Sequence, residues 1–148
     1  LSRMLVASGL LLGASALSTP SFAADGAAGP AKPDAAKGGQ LFDQGDASRG
    51  IIACASCHGA SLGGLLPAIP GLLGLPRDYI SSQIGSWKSG QRRAASPDCM
   101  ADIANKLTPE DIGALTAWLS SQPVADSYGP EPAGSLRLPA ECGSQAQR

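Results

Sequence analysis

The chain has one histidine, and it directly follows a cysteine pair: Cys54-Ala55-Ser56-Cys57-His58. This C-x-x-C-H spacing attaches a c-type haem. The two thiols add across the porphyrin vinyl groups and become thioethers, and the next imidazole is placed to coordinate the iron. With this composition the pentad would arise in roughly one of two thousand shuffled chains. Two other chemistries compete for these residues. A zinc site would combine Cys54, Cys57 and His58 with Cys99 or Cys142, but adjacent Cys57 and His58 do not match the usual paired-ligand spacings. A thiol redox C-x-x-C needs a βαβ surround, and no strand pattern flanks this one.

The lone histidine also constrains the second axial position. Two imidazoles from one chain are impossible once His58 is used, and methionine sulfur is the other common sixth ligand for such an iron. Of the two methionines, Met4 lies in a segment expected to be removed, which leaves Met100. A His58/Met100 iron is six-coordinate, has a raised potential and leaves no open position for oxygen or substrate. Electron transfer is the chemistry that follows.

Residues 1–23 read as a secretory signal: Arg3, an apolar stretch from Met4 to about Leu17, and small residues around Ala23 for cleavage. Ser8, Gly9, Gly13 and Ser15 break the stretch, so no stable membrane insertion is expected after cleavage, a retained anchor being the alternative. A periplasmic location in a bacterium agrees with covalent haem attachment and permits disulfides. Cys99 and Cys142 are then expected to be bonded to each other, with two free thiols as the alternative. About 125 residues remain, enough for one domain. Across the chain 11 basic residues face 12 acidic ones. Loss of Arg3 leaves the charge near neutral, with no basic patch. Nucleic acid is excluded as a partner, and docking is expected to rest on apolar contact around the haem edge.

Residues 24–36 are rich in Ala, Gly and Pro and read as a flexible leader. A haem domain is expected over 37–123 and an extended tail over 124–148. A short helix over Lys37–Gln44 stops at Gly45. The run 59–74 is a long apolar loop without a polar face, suited to walling a porphyrin. A second helix is predicted over Pro76–Lys88, closed by Gly90, with Tyr79, Ile80, Gln83, Ile84 and Trp87 at helical spacing. A short helix or turn follows over Met100–Lys106. The last helix starts at Thr108-Pro109-Glu110-Asp111, an N-cap, a first-position proline and an acidic first turn. Its stripe is Ile112, Leu115, Trp118 and Leu119, ending near Gln122-Pro123.

With these segments in view, the chain resembles the class I cytochromes c of the small soluble bacterial kind over about residues 37–123. The resemblance rests on Cys54–Gly59, Pro70–Gly74, Tyr79–Gln83, Trp87–Arg92, Met100 and Leu107–Ile112 ahead of Trp118. It implies an all-α fold, three to five short helices around one covalent haem, with the first and last helices crossing. It implies that Gly38 or Gly39 lets Trp118 approach closely. It also implies that the Pro70 carbonyl accepts the Nδ1 proton of His58, which orients the ring and raises its basicity. Trp87, Arg92 and Arg93 are candidates to bind haem propionates. For Trp87 core packing competes, and for either arginine a solvated charge does. Tyr79 reads as core packing. Cys99 directly before Met100 is a departure from the family pattern. A bridge to Cys142 would close a loop of about 43 residues, worth about 4 kcal/mol in the chain-entropy model, and would resist Met100 dissociation.

The resulting expectation is a periplasmic one-electron carrier, not an enzyme. No second histidine serves as a base, and the carboxylates are scattered. It would be a monomer trading electrons with redox proteins, a dehydrogenase as donor and an oxidase or reductase as acceptor. The alternative is an obligate cytochrome subunit of a dehydrogenase or oxidase complex, with leader and tail as docking arms. A haem sensor or peroxidase, in which Met100 is displaced, fits poorly with a pinned methionine loop.

Overall fold

A computed structural model describes residues 32–145. The expected signal, most of the leader and the last three residues lie outside them. Five α-helices follow one another among the described residues: α1 Ala35–Gln44, α2 Ala55–His58, α3 Arg77–Lys88, α4 Cys99–Lys106 and α5 Pro109–Leu119. One 3-10 turn, Ala47–Arg49, sits between α1 and α2. Isolated bridges occur, but no strand forms among these residues. No helix among them is long and apolar enough to cross a membrane.

The helix boundaries follow local chemistry. α1 starts two residues earlier than its apolar pattern suggests, because the Asp34 carboxylate accepts the backbone N–H groups of Ala36 and Lys37 at 3.0 and 3.2 Å. It ends at Gly45, whose N–H donates to the Leu41 carbonyl. Pro76 lies just outside α3 rather than within it. Its ψ of 141° is extended, and its carbonyl takes the first helical bond from Ile80 N–H. α4 is capped by Asp98, which accepts from Ala101 N–H at 3.0 Å. α5 begins with the expected capping box, Thr108 and Asp111 each accepting the other's backbone N–H. It stops at Leu119, with Ser120 and Ser121 turning away.

α1 and α5 cross at close range. A Cβ on Gly38 would collide with the backbone carbonyl of Ala114, and one on Gly39 would lie 2.8 Å from Trp118 Nε1. Both glycines therefore serve the crossing. Phe42 then meets Trp118 with ring centroids 4.9 Å apart. Phe42 is almost wholly buried within a core built from Leu41, Ile51, Ile80, Ile84, Leu115 and Leu119. Truncating such a ring to alanine costs about 3–5 kcal/mol.

One buried charge secures the same crossing. The Asp111 side chain has no exposure, yet it takes Arg49 Nη1 at 2.5 Å and the Lys37 ammonium at 2.7 Å. The Lys37 contact is an ion pair without hydrogen-bond alignment. The Thr108 N–H also donates to Asp111, at 3.0 Å. A loop, a helix start and α1 thus converge on one carboxylate. On the far side, Lys88 Nζ donates to the carbonyls of Ala104 and Leu107 at 3.0 and 2.8 Å, tying α3 to the corner between α4 and α5.

Tyr79 departs from expectation. It is 49 % exposed, whereas Ile80 and Ile84 are buried, so the inner stripe of α3 is narrower than the sequence spacing suggests. Residues 124–145 form no helix and are mostly exposed, but Tyr128, Glu131 and residues 142–145 bond them to the rest of the domain.

Candidate functional site

The single turn of α2 organises the centre. Cys54 is its N-cap residue, and its carbonyl accepts the N–H of His58 at 2.9 Å. Residues three and four apart are neighbours on a helix face, so one turn brings both thiols and the imidazole together. Both cysteines are free and half-buried. Burial pushes the Cys54 thiol up to about 11 and raises Cys57 as well. Both are therefore neutral before any bond is made to them.

His58 is only 6 % exposed. Its Nδ1 lies 2.8 Å from the Pro70 carbonyl, which accepts the ring proton. That bond commits the tautomer and leaves Nε2 with a lone pair for a metal. Burial lowers the His58 pKa, against the opposing pull of the Pro70 carbonyl. A neutral imidazole of defined orientation results.

A cavity of about 630 Å³ opens over this turn. Its lining includes Cys54, Cys57, His58, Pro70, Trp87 and Met100. The apolar loop supplies the expected wall: Ile69 and Leu72 face the cavity, while Leu62, Leu65 and Leu73 are buried behind it. Met100 reaches the cavity from the first turn of α4. Directly before it, Cys99 is bonded to Cys142. That bridge removes both cysteines as zinc ligands, and no cluster of three or more His, Cys, Asp or Glu forms a metal site among the described residues.

Trp87 Nε1 is buried on this cavity and has no hydrogen-bond partner. An indole N–H left so in a finished protein costs on the order of 1–3 kcal/mol, and a carboxylate of a guest molecule would satisfy it. The Arg92 guanidinium lies 4.0 Å from the Trp87 ring centroid and donates to Gln83 Oε1, so part of its capacity is spent on packing. Arg93 Nε donates to the Gly90 carbonyl at 3.1 Å. Both arginines still line the cavity. A large apolar pocket with paired thiols, a neutral imidazole, a thioether and an orphaned donor fits a porphyrin with acidic side arms.

Residues with no chemical motif of their own also reach this pocket. Ala140, Glu141, Ser144 and Gln145 line it from the C-terminal segment. Tyr128 is hydrogen-bonded to the loop that carries Pro70. The sequence signal for this was Cys142, whose expected bridge to Cys99 brings the tail to the methionine loop; nothing in the sequence marked Tyr128.

Comparison with known proteins agrees with this geometry. The family model for cytochrome c matches residues 35–123. A thiosulfate dehydrogenase electron acceptor from Thiomonas intermedia is 35% identical over 96 residues, 65% of this chain and 44% of that protein. Cytochrome c-554(548) from Halomonas halodenitrificans is 38% identical over 81 residues, 53% of this chain and 98% of that one. The solved thiosulfate dehydrogenase TsdBA from Marichromatium purpuratum superposes with a TM-score of 0.56 at 38% identity, covering 65% of this chain and 20% of that chain. The chain thus spans less than half of the acceptor protein but nearly all of the small cytochrome. Its C-x-x-C-H turn carries one haem c, bound covalently through Cys54 and Cys57, and the chain belongs to the cytochrome c family.

Proposed function

We propose that this chain is an exported, periplasmic one-electron carrier whose haem iron is held between His58 and Met100. When bound, the haem supplies a metal that alternates between ferrous and ferric states. The observation carrying the reading is a shared cavity: the cysteine pair, the His58 ring committed to Pro70, and Met100 all line it. His58 offers Nε2 as a ligand and keeps its orientation through the Pro70 carbonyl. Trp87 offers its unpartnered N–H to a propionate, and Arg92 and Arg93 place positive charge beside it. The chain's only histidine is thereby occupied, which leaves no imidazole for proton transfer and supports electron carriage over catalysis. Half-exposed Tyr79 gives a redox partner apolar surface at the cavity wall.

Optical spectra of the purified holoprotein test this. A low-spin c-type spectrum with a methionine–iron band is expected, and Met100→Ala converts it to high-spin or to an adventitious ligand. An unchanged spectrum in that variant refutes Met100.

A second reading is a dedicated electron acceptor for a dehydrogenase, favoured by likeness to the Thiomonas protein of that name. Gel filtration of native extract separates the two. A free carrier elutes as a monomer, and a dedicated acceptor elutes with its enzyme.

A further inference from the structure

The C-terminal segment 124–145 has no helix, yet at Tyr128, Glu131 and residues 142–145 it is bonded to two separate parts of the pocket. Tyr128 Oη donates to the Leu62 carbonyl at 3.1 Å and accepts the Leu73 N–H at 3.2 Å. Its hydroxyl occupies the space that a side chain on Gly71 would need. Next, the Glu131 N–H donates to Gly64 O and its carbonyl accepts the Leu66 N–H, both at 2.9 Å. These contacts grip the 59–74 loop on both sides of Pro70.

Further along, the segment changes partner. Cys142 is bonded to Cys99, the Gly143 N–H donates to Pro97 O at 2.9 Å, and Ser144 Oγ accepts the Ala95 N–H at 3.1 Å. Gln145 then returns to the first loop, donating Nε2 to the Leu66 carbonyl at 2.7 Å. One stretch of chain therefore links the loop presenting Pro70 to the turn presenting Met100.

We propose that residues 124–145 form a brace that positions both axial ligands, acting on His58 through Pro70 and on Met100 through Cys99. Tyr128 is the positioning residue at one end and Cys142 at the other. This rests on His58/Met100 ligation as proposed above. A tie held at both ends opposes separation of the two loops, and fixing the start of α4 through Cys99 limits how far Met100 moves from the cavity. The two ends act in series, so releasing Tyr128 or the Cys142 bridge weakens what the other end can hold.

Carbon monoxide uptake by the ferrous holoprotein reads methionine release. Ascorbate reduces the iron and leaves the bridge intact. A dithiol also opens the bridge, passing two electrons and two protons to Cys99 and Cys142 while closing its own disulfide. Uptake is expected to rise roughly tenfold or more on dithiol treatment and in the C99S/C142S double variant, because only a part of the constraint from a 43-residue closure needs to be lost. Tyr128→Phe is expected to accelerate uptake severalfold in the wild-type background and less than twofold in the C99S/C142S background. Rates within twofold of wild type for both dithiol-treated protein and C99S/C142S, with the methionine–iron band present, overturn the brace alone. Fully multiplicative effects overturn it too. A wild-type spectrum lacking that band overturns the ligand assignment instead.

Discussion

Asp111→Asn isolates the buried charge that secures α5 against α1. The substitution preserves shape but removes a carboxylate with no exposure, contacted by Arg49, Lys37 and the Thr108 N–H. Removing one partner of a fully buried pair costs about 3–5 kcal/mol. Here both cations are partly exposed, Lys37 at 43% and Arg49 at 34%, so they regain water when the carboxylate goes. The expected cost is therefore about 2 kcal/mol at pH 7, a fall of about 6–10 °C in Tm for a domain of this size. The pH dependence supplies a sharper check. Burial acts to raise the Asp111 pKa, but the hydrogen bond from Arg49, the Lys37 ion pair and the Thr108 amide outweigh it and hold the group well below the usual carboxylate range. A lowered pKa gives stability that is complete above the unfolded value of 3.8 and is lost as pH falls toward the folded one. The gap between wild type and variant should thus narrow by about 1 kcal/mol by pH 3. Thermal melts of both holoproteins from pH 7 to pH 3 measure it. A gap independent of pH, or below about 0.5 kcal/mol at pH 7, would refute the charge argument.

Other substitutions test the packing and the pocket. Gly38→Ala places a methyl group against the Ala114 carbonyl and should cost about 3 kcal/mol, whereas Gly85→Ala, with open space around it in mid-α3, should gain about 0.5–1 kcal/mol. Denaturant titration of the pair checks both signs. Trp87→Phe removes an N–H that no protein group uses. If that donor binds a propionate, the holoprotein loses about 1–2 kcal/mol, and a change below about 0.5 kcal/mol in the melt argues against it.

Local signals in the sequence were strong where chemistry repeats over a few residues. The C-x-x-C-H turn, the Thr108 capping box and the stop at Gly45 each involve groups within about one helical turn of each other. The Cys99–Cys142 pairing was also legible, because the haem motif consumes the other two cysteines. The rest depends on partners distant in sequence. Asp111 reads as an ordinary acidic first-turn residue, and nothing nearby reveals that Lys37 and Arg49 will reach it. The tail carries no periodicity, so its order rests on backbone bonds from Glu131 to Gly64 and Leu66, on one tyrosine, and on the Cys142 bridge with the bonds of residues 143–145 beside it. Tyr79 sits at a core-like spacing on α3 but on the rim of the buried stripe, a distinction that depends on the width of the facing surface.

The Gly38–Ala114 contact has a consequence for how this chain matures. The first helix finds its main neighbour in the last one, so a polypeptide emerging N-terminus first exposes Phe42 until α5 has been made. Leu115 and Leu119, which line the haem cavity, arrive at the same late moment. Cys54 and Cys57 are thus synthesised well before the pocket around them can shut. Throughout that interval both thiols stand on an open chain, and pairing of the first and last helices then closes the pocket around them.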